Sequence, residues 1–208
     1  MEDSQQHLEA LNDIRQMMKK SNRFLSLSGF SGIFAGLYAL LGAYLGANVI
    51  GDYAMGGDYS LAAYNQLLLM CFIICSLVLV LSILTALIFS ARKAKKTGQK
   101  LFDHTALRLL INMMIPLGAG GLFCLAMLYH GNDMVFLLCP AMLIFYGLAL
   151  VNGSKYTLHD IRYLGFMQIA LGIVASFNLG YGLLFWAFGF GVLHIIYGAY
   201  MWFKYERH

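Results

Sequence analysis

His194 lies near the middle of the last apolar stretch of the chain, in step with Ala187, Gly191, Gly198 and Met201 at helical spacing. It is the one strongly ionisable side chain near the centre of any apolar block. An ionisable group at that depth is costly, so it marks a solute path, a proton relay or a specific packing partner. Its small seam-mates imply that it faces another helix. There it is either a working acid–base group or a neutral ring bonded to a Tyr, a Ser or a backbone carbonyl. Two amides, Asn112 and Gln168, sit about a turn or more inside other apolar blocks. Arg23, Arg108 and Arg162 open the first, third and fifth blocks. If those blocks neighbour one another, the three Arg make a basic entrance suited to phosphate or carboxylate. The ordinary alternative is Arg side chains snorkelling to an interface. Pro116-Leu117-Gly118-Ala119-Gly120-Gly121 adds a weak point in the third block, because Pro frees a carbonyl and Gly loosens a helix. A candidate binding site combines His194, Asn112 and Gln168 with that break.

What is missing narrows the chemistry. No Asp or Glu lies inside an apolar block, so a carboxylate relay or an intramembrane aspartyl centre has no residues to use. The His residues lack the spacing of a di-iron site, no Gly-x-Ser-x-Gly occurs, and no haem pair is available at the depth of His194. Cys71, Cys75, Cys124 and Cys139 all fall in apolar blocks and read as buried small hydrophobes. No metal and no cofactor are expected.

The elements that must position these residues follow from composition. The chain has 208 residues, 60% hydrophobic and 12% charged, where a soluble domain has about 45–50% and about 25%. Six apolar blocks stand out, at about 24–50, 66–91, 107–129, 134–151, 161–178 and 181–203. A membrane helix needs about 20 residues. All 14 Lys and Arg fall before the first block, in the alternate gaps or at their edges (Arg108 and Arg162), or after the sixth. Translocation of such loops is disfavoured. The expected fold is therefore all-α: a polytopic bundle of six transmembrane helices over 23–205 with both termini cytoplasmic. Residues 1–22 read as a cytoplasmic amphipathic segment. The basic run from Arg92 to Lys100 favours anionic inner-leaflet lipids. The net charge of +4 is spent on these anchors and is no nucleic-acid signature.

The first block carries a seam without bulk: Gly29, Gly32, Gly36, Ala39, Ala43 and Gly46. Small residues let membrane helices approach closely, and Gly191 and Gly198 offer a similar seam in the sixth. Internal packing is the plain reading, and a pore lining or dimer face the functional one. The outer loop between the first two blocks, of about 15 residues, repeats Gly-Asp-Tyr at 51–53 and 57–59. Two carboxylates are weak ligation for a cation that wants about six to eight oxygens. The chain also divides into three hairpins, whose odd helices open Arg23-Phe24-Leu25, Arg108-Leu109-Leu110 and Arg162-Tyr163-Leu164.

From Arg162 to Tyr205 the chain runs through Leu171-Gly172-Ile173, Phe177-Asn178 and Ile196-Tyr197-Gly198. This hairpin resembles the small three-hairpin acid-resistance membrane proteins of bacteria. The whole chain, with Arg23-Phe24-Leu25-Ser26-Leu27-Ser28-Gly29, looks like a group of uncharacterised six-span bacterial membrane proteins. The resemblance implies a bacterial inner-membrane location and a stress-protective role. A carotene-oxygenase label attached to some relatives would need His ligands that this chain lacks. The leading expectation is a non-enzymatic protein with a small transport, channel-like or stress-protective role. This reading allows a homo-oligomer, and the alternative is a membrane anchor or interaction module that docks a cytoplasmic partner. A weaker one is a lipid- or isoprenoid-processing enzyme using His194 as base.

Overall fold

The computed structural model describes residues 28–96 and 104–207. The amphipathic segment expected at 1–22, Arg23 and Lys100 lie outside the described residues. Among the described residues there is no strand. α1 (Gly29–Gly56) and α2 (Leu61–Lys96) form the first hairpin. α3 (His104–His130) passes through a 3-10 segment (Asn132–Leu137) into α4 (Leu138–Gly153). α5 (Ile161–Ser176) is followed by a short 3-10 turn (Leu179–Tyr181), α6 (Gly182–Trp186), a π-helical segment (Ala187–Leu193) and α7 (His194–Tyr205).

Among the described residues, five segments are long and apolar enough to cross a membrane: Gly29–Gly56, Leu61–Lys96, His104–His130, Met134–Gly153 and Leu179–Tyr205. α5, at 16 residues, is shorter. At 1.5 Å per residue it measures about 24 Å, against a hydrocarbon core of about 30 Å. α2 is the opposite case. Its 36 residues run well past the expected 66–91.

The expected outer loop is mostly helix. α1 continues through Gly51-Asp52-Tyr53, and only Gly57–Ser60 turn the chain. Nothing breaks the helix before Gly57, whose φ of 69° suits a residue without Cβ. Asp58 then accepts the Ser60 backbone N–H at 2.9 Å, and Ser60 Oγ accepts that of Ala63 at 3.2 Å, which starts α2. The Ser60 hydrogen bonds hold the Asp58 carboxyl below the usual carboxylate range. The two Gly-Asp-Tyr copies therefore sit in unlike structure, one in a helix and one in a turn.

α1 packs on α2 and α7, α4 packs on α3 and α5, and the last segment touches both α1 and α4. α2 and α3 lie on the flanks. Ser90 and Ala94 are the buried residues of α2, and Leu109 and Gly120 those of α3. Their outward faces expose Phe72, Leu79, Ile83, Ile115 and Leu122. Apolar surface on that scale would be a liability in water and is the ordinary exterior of a helix bundle in lipid.

Two ion-paired clasps close one end of the bundle. Glu206 accepts the backbone N–H of Gly29 at 2.9 Å, the Ser28 hydroxyl at 3.1 Å and Lys93 Nζ at 3.0 Å. Glu206 thus caps the first turn of α1, where free N–H groups and the helix dipole favour a carboxylate. Asp160, just before α5, accepts Lys204 Nζ at 2.7 Å and the Tyr205 hydroxyl at 2.8 Å. Burial alone would raise the Asp160 carboxyl, but its bonds to Lys204 and Tyr205 outweigh that and hold it low. Arg92, Lys95, Lys96, Arg108, Lys155, Arg162 and Arg207 belong to these same helix ends.

Candidate functional site

The polar centre of the bundle forms where the last segment departs from α-helical geometry. Across Ala187–Leu193 the backbone winds as a π-helix, with Gly189 and Gly191 inside it. Such wide turns recur at functional positions. The Gly189 carbonyl accepts Gln168 Nε2 of α5 at 2.8 Å and His194 Nδ1 at 3.0 Å. A carbonyl only accepts, so Nδ1 carries a proton, and in a neutral ring Nε2 is left as an acceptor. The Tyr146 hydroxyl of α4 donates to it at 2.7 Å. Three elements (α4, α5 and the last segment) therefore meet through one imidazole and one carbonyl. Both nitrogens of the ring are engaged.

Aromatic rings enclose this node. Phe190 stacks on His194 with centroids 6.0 Å apart and tilts against Tyr146 at 5.0 Å, while Trp186 lies 5.2 Å from Phe190. Gln168 is fully buried. Its Nε2 is used, but its Oε1 has no hydrogen-bond partner. A Cβ on Gly189 would come within 2.6 Å of that oxygen and collide with Leu143. Glycine at 189 is thus what lets the amide reach the carbonyl. An unpartnered buried acceptor costs about 1–3 kcal/mol, so Oε1 is the unsatisfied point of the node.

The remaining sequence candidates separate from it. Asn112 belongs to the α3–α4 contact. Its Nδ2 donates to the Arg108 carbonyl at 2.8 Å, and its own carbonyl accepts Asn152 Nδ2 at 2.7 Å. That carbonyl is the one Pro116, four residues on, cannot serve. Asn152 of α4 supplies the missing donor, and α3 stays helical through Pro116. The weak point expected at 116–121 is therefore not a break. The irregular turn lies in the last segment, where no Pro signals it. Arg108 and Arg162 sit exposed at the basic end, and Arg23 is outside the described residues.

The seam residues of α1 face the last segment. A Cβ on Gly29 would lie 2.5 Å from the Gly198 carbonyl, and one on Gly36 2.6 Å from that of Gly191. Gly32 lies against the Gly198 Cα, and Gly46 near Leu183. Ala39 and Ala43 pack with Trp186. Sequence reasoning missed a second seam. Gly147 of α4 and Gly165 of α5 each put a virtual Cβ within 2.8 Å of the other's carbonyl, and Gly172 does so at 2.9 Å to that of Pro140. It also did not single out Tyr146 as the Tyr that bonds His194.

Among the described residues no three His, Cys, Asp or Glu come together as a metal site. The chain matches no family model, no curated protein and no solved structure, so its function has to be read from this geometry.

Proposed function

We propose that the chain is a non-enzymatic integral membrane protein with a small transport or stress-protective role. In this reading six helices span a bacterial inner membrane, with both termini and the basic end cytoplasmic. The short α5 is accommodated by local thinning of the bilayer or by its flanking residues. The observation that carries the transport reading is the node at Gly189. A buried imidazole, a phenol and a half-satisfied amide share one carbonyl inside a π-helical turn. A π-turn that slips to α-helical winding would re-aim His194 and release Tyr146 and Gln168 together. Intramembrane polar groups of this kind mark solute or proton paths.

The test is flux in vesicles containing the purified chain, measured first with protons and an enclosed pH-sensitive dye. The expected result is a flux that His194→Ala abolishes while the protein stays abundant and inserted. Unchanged flux at normal abundance would end this assignment. An anchoring role is the second reading, favoured by Arg92, Lys95, Lys96 and Arg108, all exposed at the basic end. Loss of a cytoplasmic partner on deletion of residues 1–20, with insertion intact, would support it. The enzyme reading needs a free base at His194, and both ring nitrogens are already engaged.

A further inference from the structure

A cleft of about 440 Å³ opens between α3 and α4, away from the His194 node. That volume is within the range of small-molecule sites, about 300–1,000 Å³. Its walls are Ile115, Pro116 and Ala119 of α3 and Phe145, Leu148 and Val151 of α4. Along α4 the lining runs from Phe145 to Asn152, and Lys155 follows in the turn beyond the helix. At 1.5 Å per residue the span from Phe145 to Lys155 is about 15 Å. One end of the cleft is thus wholly apolar and the other cationic. Phe145, which packs over Gly120 and against Phe123, stands at the apolar end.

Lys155 is aimed by the same residue that repairs the proline. Asn152 gives its Nδ2 to the Asn112 carbonyl, and its Oδ1 accepts Lys155 Nζ at 3.3 Å. That amide is neutral, so the ammonium keeps its full charge and its other donors. The carboxylates of the two clasps are taken elsewhere, Asp160 by Lys204 and Tyr205, Glu206 by Lys93. An apolar trough that ends at a cation met by no carboxylate among the described residues fits an amphiphile with an anionic head.

We infer that the α3–α4 cleft seats one acyl chain of an anionic phospholipid of the basic-side leaflet, with its phosphate on Lys155. This inference rests on the membrane-embedded reading and not on the role of the node. A chain that inserts yet holds no anionic lipid defeats the inference alone. A chain that fails to insert defeats the reading beneath it.

The experiment titrates the purified full chain with phosphatidylglycerol and with phosphatidylcholine and counts retained lipids by native mass spectrometry. The expected result is one retained phosphatidylglycerol, preferred over phosphatidylcholine by about fivefold, the scale of one Lys at an anionic surface. Lys155→Gln removes the preference. Ala119→Trp fills the cleft and removes retention of either lipid, and Ala119 is exposed, so the bulk can be carried. Lys95→Gln, a change of an exposed cation at the same end, leaves the preference intact. A preference that survives Lys155→Gln, or that Lys95→Gln lowers equally, would overturn the site. Displacement of the lipid by inorganic phosphate alone would also overturn it, because the acyl chain would then contribute nothing.

Discussion

The α1 seam and the α4–α5 seam solve one packing problem in two ways. In both, glycines bring backbone against backbone, with virtual Cβ atoms of Gly29 and Gly36 in one and of Gly147 and Gly165 in the other all within 2.8 Å of a facing carbonyl. The α1 seam is long, and its strongest polar tie is at the end, where Glu206 caps Gly29 and meets Lys93. The α4–α5 seam is short, and it is tied in mid-bundle through Tyr146, Gln168, His194 and Gly189. In lipid, apolar burial gives no drive for helices to associate, so close packing and hydrogen bonds carry the assembly. The long seam carries its polar tie at one end, and the short one carries it in mid-bundle.

Bulk at a seam should cost most. Gly165→Val and Gly29→Val each force a side chain into backbone that cannot yield, and overpacking costs about 1–3 kcal/mol or more. Both are expected to lower the midpoint of unfolding in detergent, with Gly165→Val the worse because its seam is shorter. Gly118→Val, where a Cβ meets open space, is the control and should change little. Equal tolerance at 165 and 118 would break the comparison.

The mid-bundle tie ranks next. Tyr146→Phe removes the donor to His194 Nε2 and should cost about 1 kcal/mol, the scale of an interhelical hydrogen bond in a membrane. Gln168→Leu should cost less, because it also removes the unpartnered Oε1. A double-mutant cycle in the same denaturation assay checks both, and simple additivity would separate the residues into independent contacts.

The end clasp ranks below the node. Glu206→Gln keeps acceptor and shape but loses the charge facing Lys93 and the α1 dipole. The pair is only partly buried, so the expected loss is about 0.5–1 kcal/mol, smaller at high salt. A salt-independent loss would place the effect in packing. The smallest effect is the pH response of the Asp160 clasp. Its folded carboxyl is held low, so its contribution is complete at neutral pH and disappears as pH falls beneath the ordinary carboxylate range. Asp160→Asn should flatten that acid limb of the stability curve and leave the neutral region almost unchanged.

How much of this was legible depends on where the signal sits in the chain. The α1 stripe could be read because six small residues recur within one helix. The α4–α5 seam could not, because Gly147 and Gly165 are single residues whose register depends on a turn at 154–160. The depth of His194 and a bond from its ring to a Tyr or a carbonyl could both be read from its position in the seam. The π-helical turn was not, because Ala187–Leu193 carries no Pro and its glycines also suit a plain seam. Pro116 misled for the converse reason. The donor that repairs it, Asn152, comes from another helix.

The central claim is that one imidazole joins α4 to the last segment in a single hydrogen-bonded form. Nitrogen-15 NMR of the chain in lipid, with His194 assigned by mutation, tests it most directly. The account predicts a protonated Nδ1, an unprotonated Nε2 shifted by a donor that Tyr146→Phe removes, and one resonance set at neutral pH. A proton on Nε2, or an Nε2 resonance unmoved by Tyr146→Phe, would contradict it.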